Sequence, residues 1–338
     1  MKKSVVTGVR KAELVEVPDP QPKGDWVVVR VDVAPMCTEY KQFLSGYEGG
    51  MMGHEAAGEV VAVAQPGRVQ VGDRVVAMPL AGCGCCTLCV SGDYIHCEHA
   101  PNYAATHGTT AGSDTMSQYI LKQDWLLPKI PDGVSTEHAS LACCALGPSF
   151  GAFDLMGLDA FDTVLITGAG PVGLGAVVNA AFRGARVFVV EGYPYRAARA
   201  KELGAEVVLD PRQADIVAQV KDLTEGRGVD KALDCSGVPQ AQRLCIDATR
   251  RKGSVAFVGE CQDDLSIKVS PDMIRKGLKL IGSWHYNLAL FPRLMQVIQN
   301  SPVIERLVSH EIPMSRIQEA MELSASHECA KILLKPWQ

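Results

Sequence analysis

A glycine-rich turn most constrains the fold of this chain. Residues 168–173 read Gly-Ala-Gly-Pro-Val-Gly, and they separate a short apolar run at 163–167 from a helical pattern over 172–182. Glycines at these three positions permit a tight turn and let a pyrophosphate approach the start of a helix. The pattern predicts a strand–turn–helix unit that binds a dinucleotide through Gly168, Gly170, Pro171, Val172 and Gly173.

The same region alternates between strand and helix patterns. Strands are predicted at 163–167, 186–190, 206–209, 230–234, 254–258 and 279–282, and helices over 196–203, 213–223 and 240–249. Such alternation is typical of a doubly wound parallel sheet with helices on both faces. The predicted fold class is therefore α/β, with a complete six-stranded dinucleotide-binding domain in this half of the chain.

An acidic residue, Glu191, closes the second predicted strand. A carboxylate at this position can hold the ribose hydroxyls and would repel a 2′-phosphate, which favours NAD over NADP. Arg196 and Arg199 follow it and could supply positive charge that weakens the exclusion of NADP. NAD is the predicted cofactor, and NADP is the alternative.

The chain has 12 cysteines, five of which lie between Cys83 and Cys97. Four of these have the spacing C-x2-C-x2-C-x7-C, which suits a tetrahedral zinc site closed by sulfur ligands. The predicted structural zinc ligands are Cys83, Cys86, Cys89 and Cys97. Cys85 is supernumerary, and the alternative is a cysteine-rich loop without a metal.

Three separated segments are candidates for a second metal site. They contain Cys37, the pair His54-Glu55, and the pair Cys143-Cys144. One imidazole and two thiolates leave a position for substrate oxygen, and the metal then acts as a Lewis acid. A single cysteine or histidine is more often a packed residue, so the prediction depends on the whole order along the chain.

Composition excludes several classes of function. The formal net charge is −5 and no long basic run occurs, so we expect no nucleic-acid or anionic-membrane partner. The N-terminus lacks the apolar segment of a signal peptide, and no apolar window is long enough to cross a bilayer. We expect a soluble, cytoplasmic protein.

With these motifs, and with GHEAAGEV at 53–60, VGDRV at 71–75 and DCSG at 234–237, the chain resembles the zinc-containing medium-chain dehydrogenase/reductase family. The resemblance implies a GroES-like, β-rich catalytic domain at 1–150, a Rossmann NAD-binding domain at 151–285, and a return to the catalytic domain at 286–338. It also implies an active site in the cleft between the domains.

The resemblance further implies catalytic zinc ligands at Cys37, His54 and Cys144, with Glu55 as the family glutamate that can approach the metal. One departure concerns the proton relay. The family usually places Ser or Thr two residues after the first ligand cysteine and Asp after that, whereas this chain has Glu39 and Tyr40 there and Thr38 one position earlier. The relay is therefore assigned to Thr38 or Glu39, or else the reaction is modified.

The predicted activity is hydride transfer between a secondary alcohol and NAD, with a polyol, cyclitol or sugar-like substrate favoured. Side chains that are candidates for the substrate cleft, and equally for ordinary surface positions, are Tyr40, Phe43, Tyr47, His107, Phe150, Trp284, His285 and Asn287. The alternatives are an NADPH-dependent aldehyde or ketone reductase and a non-catalytic NAD- and zinc-binding redox sensor. The family implies a homo-oligomer, either a dimer or a tetramer.

Overall fold

The computed structural model describes residues 1–213 and 215–338. Residue contacts divide the chain into two units. The first comprises Met1–Cys144, Asn287–Asn300 and Val308–Gln338, and the second comprises Ala145–Tyr286 and Ser301–Leu307. No helix among the described residues has both the length and the apolar character needed to cross a membrane.

The first unit is rich in strands, and its helices are short. Its strands are β1 (Lys2–Gly8), β2 (Lys11–Glu16), β3 (Trp26–Pro35), β4 (Ala56–Ala62), β5 (Arg74–Ala77), β6 (Tyr119–Gln123), β13 (Val308–Pro313) and β14 (Lys331–Lys335). Its helices are α1 (Glu39–Ser45), α2 (Thr87–Val90), α3 (Tyr103–His107), α4 (Thr136–Ser140), α10 (Phe291–Asn300) and α11 (Ile317–Ser326).

The valine-rich strand β3 is the centre of the first unit. One sheet has the order β13-β14-β3-β4-β5, β6 also pairs with β3, and β1 and β2 form a separate hairpin. Valines suit such a strand because their branched side chains pack well on a pleated surface. Val29, Val31 and the neighbouring Val60 of β4 are fully buried in the core of this unit. This sheet fixes the ends of β3 and β4, where the candidate metal ligands lie.

The second unit alternates strands and helices. Its elements are α5 (Gly147–Met156), β7 (Thr163–Thr167), α6 (Pro171–Phe182), β8 (Arg186–Val190), α7 (Pro194–Glu202), β9 (Val207–Leu209), α8 (Ile216–Asp222), β10 (Val229–Asp234), α9 (Pro239–Ala248), β11 (Thr249–Phe257) and β12 (Lys279–Gly282). Prolines start α6, α7 and α9, where the ring sets a helical φ and no intrahelical N–H bond is lost.

The second unit has the order of a dinucleotide-binding sheet. Its six strands lie in the order β12-β11-β10-β7-β8-β9, and all adjacent pairs are parallel. Strand order therefore reverses between β7 and β10, the switch point at which such sheets bind ligands. The α/β prediction, with a doubly wound parallel sheet, is confirmed.

The observed boundaries differ in detail from the predicted ones. The first unit ends at Cys144 rather than 150 because α5 packs against α6 of the second unit. Tyr286 and residues 301–307 lie in the second unit, whereas the sequence predicts that all of 286–338 belongs to the first domain. Strand β11 begins at Thr249 instead of 254, and residue 214 of the helix predicted over 213–223 lies outside the described residues.

Candidate active site

The fold brings Cys37, His54 and Cys144 together. Cys37 follows the end of β3, and His54 precedes β4, which pairs with β3 through Val33 and Ala57. Candidate ligand atoms of Cys37, His54, Glu55 and Cys144 all lie within 4.8 Å of one another. His54 Nε2 is 3.2 Å from Cys144 Sγ. Three segments that are distant in sequence therefore form one cluster of metal-ligating side chains.

The candidate ligands of this cluster shift one another's pKa. The pKa of Cys37 lies well below its usual range because the Cys144 thiol donates a hydrogen bond to it, and the pKa of Cys144 is raised by the same contact. Burial opposes the cation on His54, but Cys37 and Glu39 raise its pKa to about 11. Thiolate and imidazole ligands release their protons when they bind a metal, so this donor set fits a divalent ion such as zinc.

Glu39 contacts the cluster from behind its histidine. It starts α1 and is 6% exposed. Its Oε1 lies 3.0 Å from His54 Nδ1, and its Oε2 accepts a 2.6 Å hydrogen bond from the Cys37 N–H. Burial opposes ionisation, but the His54 hydrogen bond lowers the pKa of Glu39. The carboxylate therefore orients a candidate ligand, as carboxylates behind metal-bound histidines commonly do.

Thr38 has the opposite environment. It is exposed, it precedes α1, and its hydroxyl does not cap that helix. The two candidates for the proton relay thus differ in position, since Glu39 is buried against His54 and Thr38 faces outward.

A buried ion pair lies next to Cys144. Glu55 Oε2 accepts a hydrogen bond from the Cys144 N–H at 2.9 Å, and its Oε1 accepts one from Lys331 Nζ at 2.6 Å. Both side chains of the pair are 0% exposed. Burial raises the pKa of Glu55 to about 7, and the Lys331 charge opposes that shift.

Sequence reasoning missed Lys331. Its signal was a lysine at each end of the apolar run 332–334 in β14, where every residue is buried. A charge on a buried strand requires a partner of opposite sign.

The four predicted loop cysteines also converge. Candidate ligand sulfurs of Cys83, Cys86, Cys89 and Cys97 lie within 4.8 Å of one another. Sγ–Sγ distances are 3.9 Å for both the Cys83–Cys89 and the Cys86–Cys97 pair. A tetrahedral zinc with Zn–S bonds of about 2.3 Å requires sulfur separations of about 3.8 Å, so these residues fit a structural zinc. Cys85 is exposed and lies outside the group.

Asn287, which the sequence suggests for the substrate cleft, instead supports this cysteine loop. Its Nδ2 donates hydrogen bonds to the Ser91 carbonyl at 2.8 Å and to Asp93 Oδ1 at 2.9 Å. A Cβ at Gly92, which has φ +91°, would lie 2.3 Å from Asn287 Oδ1. Glycine is required there because the amide packs directly on the loop backbone.

The glycine-rich turn has the geometry of a phosphate-binding turn. Gly168 has φ +82°, and a Cβ at Gly173 would lie 1.8 Å from the Gly168 carbonyl oxygen. A Cβ at Gly170 would have one protein atom within 4 Å, Nη1 of Arg196 at 3.8 Å. Gly170 also precedes α6, whose first residues are Pro171 and Val172. The first and third of these glycines are needed for packing, whereas the second leaves the helix start open to a pyrophosphate.

Glu191 and Arg196 both lie beside this turn. Glu191 Oε2 accepts a hydrogen bond from the Ala169 N–H at 2.7 Å, and its Oε1 accepts one from the Tyr193 N–H at 2.8 Å. The guanidinium of Arg196 stacks over the Tyr193 ring at 5.7 Å. Arg199 bonds instead to Glu202 and Tyr195 on α7.

A buried carboxylate, which the sequence reasoning also missed, holds the end of β10. Asp234 is fully buried, and its Oδ1 accepts hydrogen bonds from Thr167 Oγ1 at 2.8 Å and Ser236 Oγ at 2.6 Å. It joins the ends of β7 and β10 beneath the glycine-rich turn. The sequence feature that could have identified it is the aspartate at the end of an apolar strand, in the DCSG motif.

The remaining candidates for the substrate cleft do not form one group. Phe43 is fully buried in the core of the first unit, and Phe150 is buried under the Arg183 guanidinium. Edge-to-face ring contacts join Tyr40 to His327 and His107 to Trp26. His285 is buried and stacks on Tyr286. Tyr47 and Trp284 are exposed.

Comparison with known proteins matches two separate regions of the chain to two family models. The family model described as alcohol dehydrogenase GroES-like domain matches residues 23–132, and the zinc-binding dehydrogenase model matches residues 171–300. The chain is 30% identical to sorbitol dehydrogenase of Bacillus subtilis over 351 residues, which covers 99% of this chain and 97% of that protein. It is 31% identical to L-threonine 3-dehydrogenase of Pyrococcus furiosus, covering 95% and 94% of the two chains.

Solved structures agree over the full length. An alcohol dehydrogenase from Thermus sp. ATN1 superposes with a TM-score of 0.89 at 26% identity and covers 99% of both chains. The 2R,3R-butanediol dehydrogenase of Bacillus subtilis gives a TM-score of 0.84, also at 26% identity and 99% coverage of both chains. This chain therefore belongs to the zinc-containing medium-chain dehydrogenase/reductase family, and it is an oxidoreductase of the alcohol dehydrogenase type.

Proposed function

We propose that this chain oxidises a secondary hydroxyl of a polyol, cyclitol or sugar-like alcohol to a ketone, with NAD as the hydride acceptor. The observation that carries the proposal is the cluster of half-buried Cys37, half-buried His54 and buried Cys144, whose ligand atoms lie within 4.8 Å of one another. Three protein ligands are typical of a catalytic zinc site, which keeps one position open for substrate. The sorbitol dehydrogenase relative supports the polyol substrate.

Cys37, His54 and Cys144 would hold the catalytic metal. A zinc ion at this site supplies Lewis acidity, which makes an alcohol hydroxyl easier to deprotonate. Glu39 fixes the ring of His54 through Nδ1, and Glu55 fixes the backbone of Cys144 while Lys331 balances its charge. Glu55 also belongs to the group of candidate ligand atoms, which supports a role in ligand exchange.

We assign the proton relay to Thr38. Glu39 Oε2 accepts a hydrogen bond from the Cys37 N–H, and its Oε1 lies 3.0 Å from His54 Nδ1, so a role in proton transfer would disturb contacts that orient a ligand. Thr38 is adjacent to Cys37 and exposed, so its hydroxyl is suited to pass the alcohol proton towards solvent. Glu39 is therefore a positioning residue in this proposal.

The second zinc would bind Cys83, Cys86, Cys89 and Cys97. Four sulfur ligands leave no position for substrate, so this ion stabilises the loop and takes no part in the reaction. The sulfur separations of 3.9 Å support the assignment.

The cofactor is proposed to be NAD. Gly168, Gly170 and Gly173 would receive the pyrophosphate at the start of α6, and Glu191 would accept hydrogen bonds from the ribose hydroxyls. Two backbone N–H groups hold the Glu191 carboxylate at the turn, where it would repel a 2′-phosphate. Arg196 lies close to Gly170 and favours the second candidate, an NADP-dependent reductase. Glu191→Ser should raise kcat/KM for NADP relative to NAD, and an unchanged ratio would contradict the role of Glu191.

We further propose a homo-oligomer, either a dimer or a tetramer, that pairs through the second unit. Strand β12 is an edge of its sheet. The segment before β12 exposes Val269 at 60% and Ile274 at 71%. Apolar exposure beside an unpaired strand edge is typical of an interface. Light scattering of the purified chain tests this state directly.

The activity is tested by a screen of polyols and simple alcohols, which follows NADH absorbance with protein of measured zinc content. We expect turnover of at least one vicinal diol with NAD and a much lower rate with a matched primary alcohol. Protein that holds two zinc ions but turns over no secondary alcohol or ketone in the panel, with either cofactor, would contradict the proposal.

A further inference from the structure

The cysteine loop carries a fifth thiol beside its four candidate zinc ligands. Cys85 Sγ lies 3.7 Å from Cys83 Sγ. Cys85 is exposed, whereas Cys89 is buried and Cys83, Cys86 and Cys97 are half-buried. A solvent-accessible thiol therefore contacts one sulfur of the tetrahedral group.

The backbone between the two residues allows their sulfurs to meet. Gly84 separates Cys83 from Cys85 and has φ +76°, a conformation that turns the chain back on itself. A disulfide requires the sulfurs to approach to about 2.05 Å. Cys85 is the exposed member of the pair, so its side chain is the one that would rotate. Cys89, by contrast, is 6% exposed and packs against Gly82.

We propose that Cys85 is an oxidation site, and that a Cys83–Cys85 disulfide removes one ligand from the structural zinc. The inference rests on the proposed zinc site of this loop. Accessible thiols next to a second cysteine are typical targets of hydrogen peroxide, because the neighbour resolves the oxidised sulfur as a disulfide.

The chemistry requires one equivalent of hydrogen peroxide. The Cys85 sulfur attacks one peroxide oxygen, the O–O bond breaks, and a sulfenic acid and water form. The Cys83 sulfur then attacks the Cys85 sulfur. The S–S bond forms, the S–O bond breaks, and the departing hydroxide takes up a proton to become a second water. Two thiols are oxidised by two electrons in total, and peroxide is reduced to two waters.

Loss of this ligand should loosen the loop. Its regular elements are short: α2 spans Thr87–Val90, and a single 3-10 turn spans Tyr94–His96. Cys83 also accepts a hydrogen bond from the Cys86 N–H at 3.3 Å, so the movement of its sulfur affects the next ligand. Three remaining sulfurs bind zinc more weakly than four, and the metal should dissociate.

The test measures zinc released into a chromogenic chelator after peroxide treatment of the full-length enzyme, and maps disulfides by peptide mass spectrometry. Zinc content is measured first. We expect the wild-type protein to release one zinc ion and to form the Cys83–Cys85 disulfide. Dithiothreitol should then reduce the disulfide, and added zinc should restore the original metal content. Cys85→Ser should release zinc about tenfold more slowly. Cys261→Ser, which removes a half-buried thiol remote in sequence from the loop, should behave as wild type.

The outcomes distinguish a failure of the proposed Cys85 oxidation from a failure of the proposed function. Equal release rates in wild type and Cys85→Ser, from protein that holds two zinc ions, would overturn this inference alone. A disulfide between two of the four ligands with Cys85 unmodified would overturn it as well. Untreated wild-type protein that holds no zinc would contradict the proposed function and, with it, the inference.

Discussion

The two cysteine-containing clusters differ in how the chain builds them. The loop cluster takes all four donors from residues 83–97, within one contiguous segment. The other cluster takes its donors from Cys37, His54 and Cys144, which different strands and loops carry. The spacing of its ligands along the sequence is enough to predict a local cluster. A distributed cluster forms only when the sheet brings its ligands together.

The side chains that surround the two clusters also differ. Buried charged side chains surround the distributed cluster: Glu39 contacts His54, and the Glu55–Lys331 pair lies next to Cys144. Amide side chains hold the loop instead, since Asn287 donates hydrogen bonds to Ser91 and Asp93 and Gln123 donates one to Gly82. We infer that the fold preorganises the distributed site, whereas the loop depends on its metal for shape.

Removal of one ligand from each cluster should give the largest contrast. His54→Ala should lower kcat by about 10³-fold or more, because Lewis-acid stabilisation is worth several kcal/mol. Its affinity for NADH should change little. The matched variant Cys97→Ser should retain turnover below its transition but melt about 10 °C lower, since a structural zinc contributes directly to folding.

Steady-state kinetics, NADH fluorescence and calorimetry measure these quantities. Full activity in His54→Ala would refute the catalytic assignment. An unchanged melting temperature in Cys97→Ser would show that the loop keeps its shape without the metal.

Breaking the buried pair behind Cys144 should have the next largest effect. Lys331→Met leaves Glu55 as an uncompensated buried carboxylate, which should cost about 3–5 kcal/mol of unfolding free energy. The double variant Lys331→Met with Glu55→Gln should recover much of that loss. Lys129→Met is the matched control, because the Lys129–Asp73 pair has a lysine that is 54% exposed and should contribute less than about 1 kcal/mol. Equal losses for the two lysines, by denaturant unfolding, would contradict this account.

The positions of Glu39 and Thr38 predict separable defects. Glu39→Gln should weaken zinc binding at the catalytic site by about 10- to 100-fold, because the His54 ring loses its orienting carboxylate. Thr38→Val should instead lower kcat by about 10²-fold with unchanged zinc affinity. Chelator competition and the kcat of zinc-saturated enzyme distinguish them. A Glu39→Gln variant with normal zinc affinity and a flattened pH profile of kcat would return the relay to Glu39.

The smallest expected effect concerns the support of the loop. Asn287→Ala removes two hydrogen bonds to residues 91 and 93 and should destabilise the loop by about 1–2 kcal/mol. Peroxide or a chelator should then remove the loop zinc faster, while kcat is unchanged. A loss of kcat without faster zinc release would point back to a substrate role for Asn287.

The most accurate predictions from the sequence concern features that depend on residues close together in the chain. Strands at 163–167, 186–190 and 279–282 are observed at the predicted residues because each is a short run with a distinct boundary. The loop cysteines and the glycine turn follow from spacing alone. These features need no knowledge of distant contacts.

Features that depend on distant contacts were missed. Lys331 meets Glu55 across 276 positions, and Asn287 meets Asp93 across 194. Glu39 occupies a position where the family has a hydroxyl, and only its contact with His54 separates an orienting role from proton transfer. The candidates for the substrate cleft do not lie together, because their positions also depend on distant contacts. An aromatic side chain such as Phe43 can pack in a core as well as line a cleft.

Anomalous diffraction at the zinc absorption edge, from crystals of full-length protein purified without chelator, would locate both proposed zinc ions in one measurement. We expect two peaks per chain, one among Cys37, His54 and Cys144 and one among the four loop sulfurs. A map with a loop peak but no anomalous density at the three-ligand cluster would contradict the proposed catalytic zinc site.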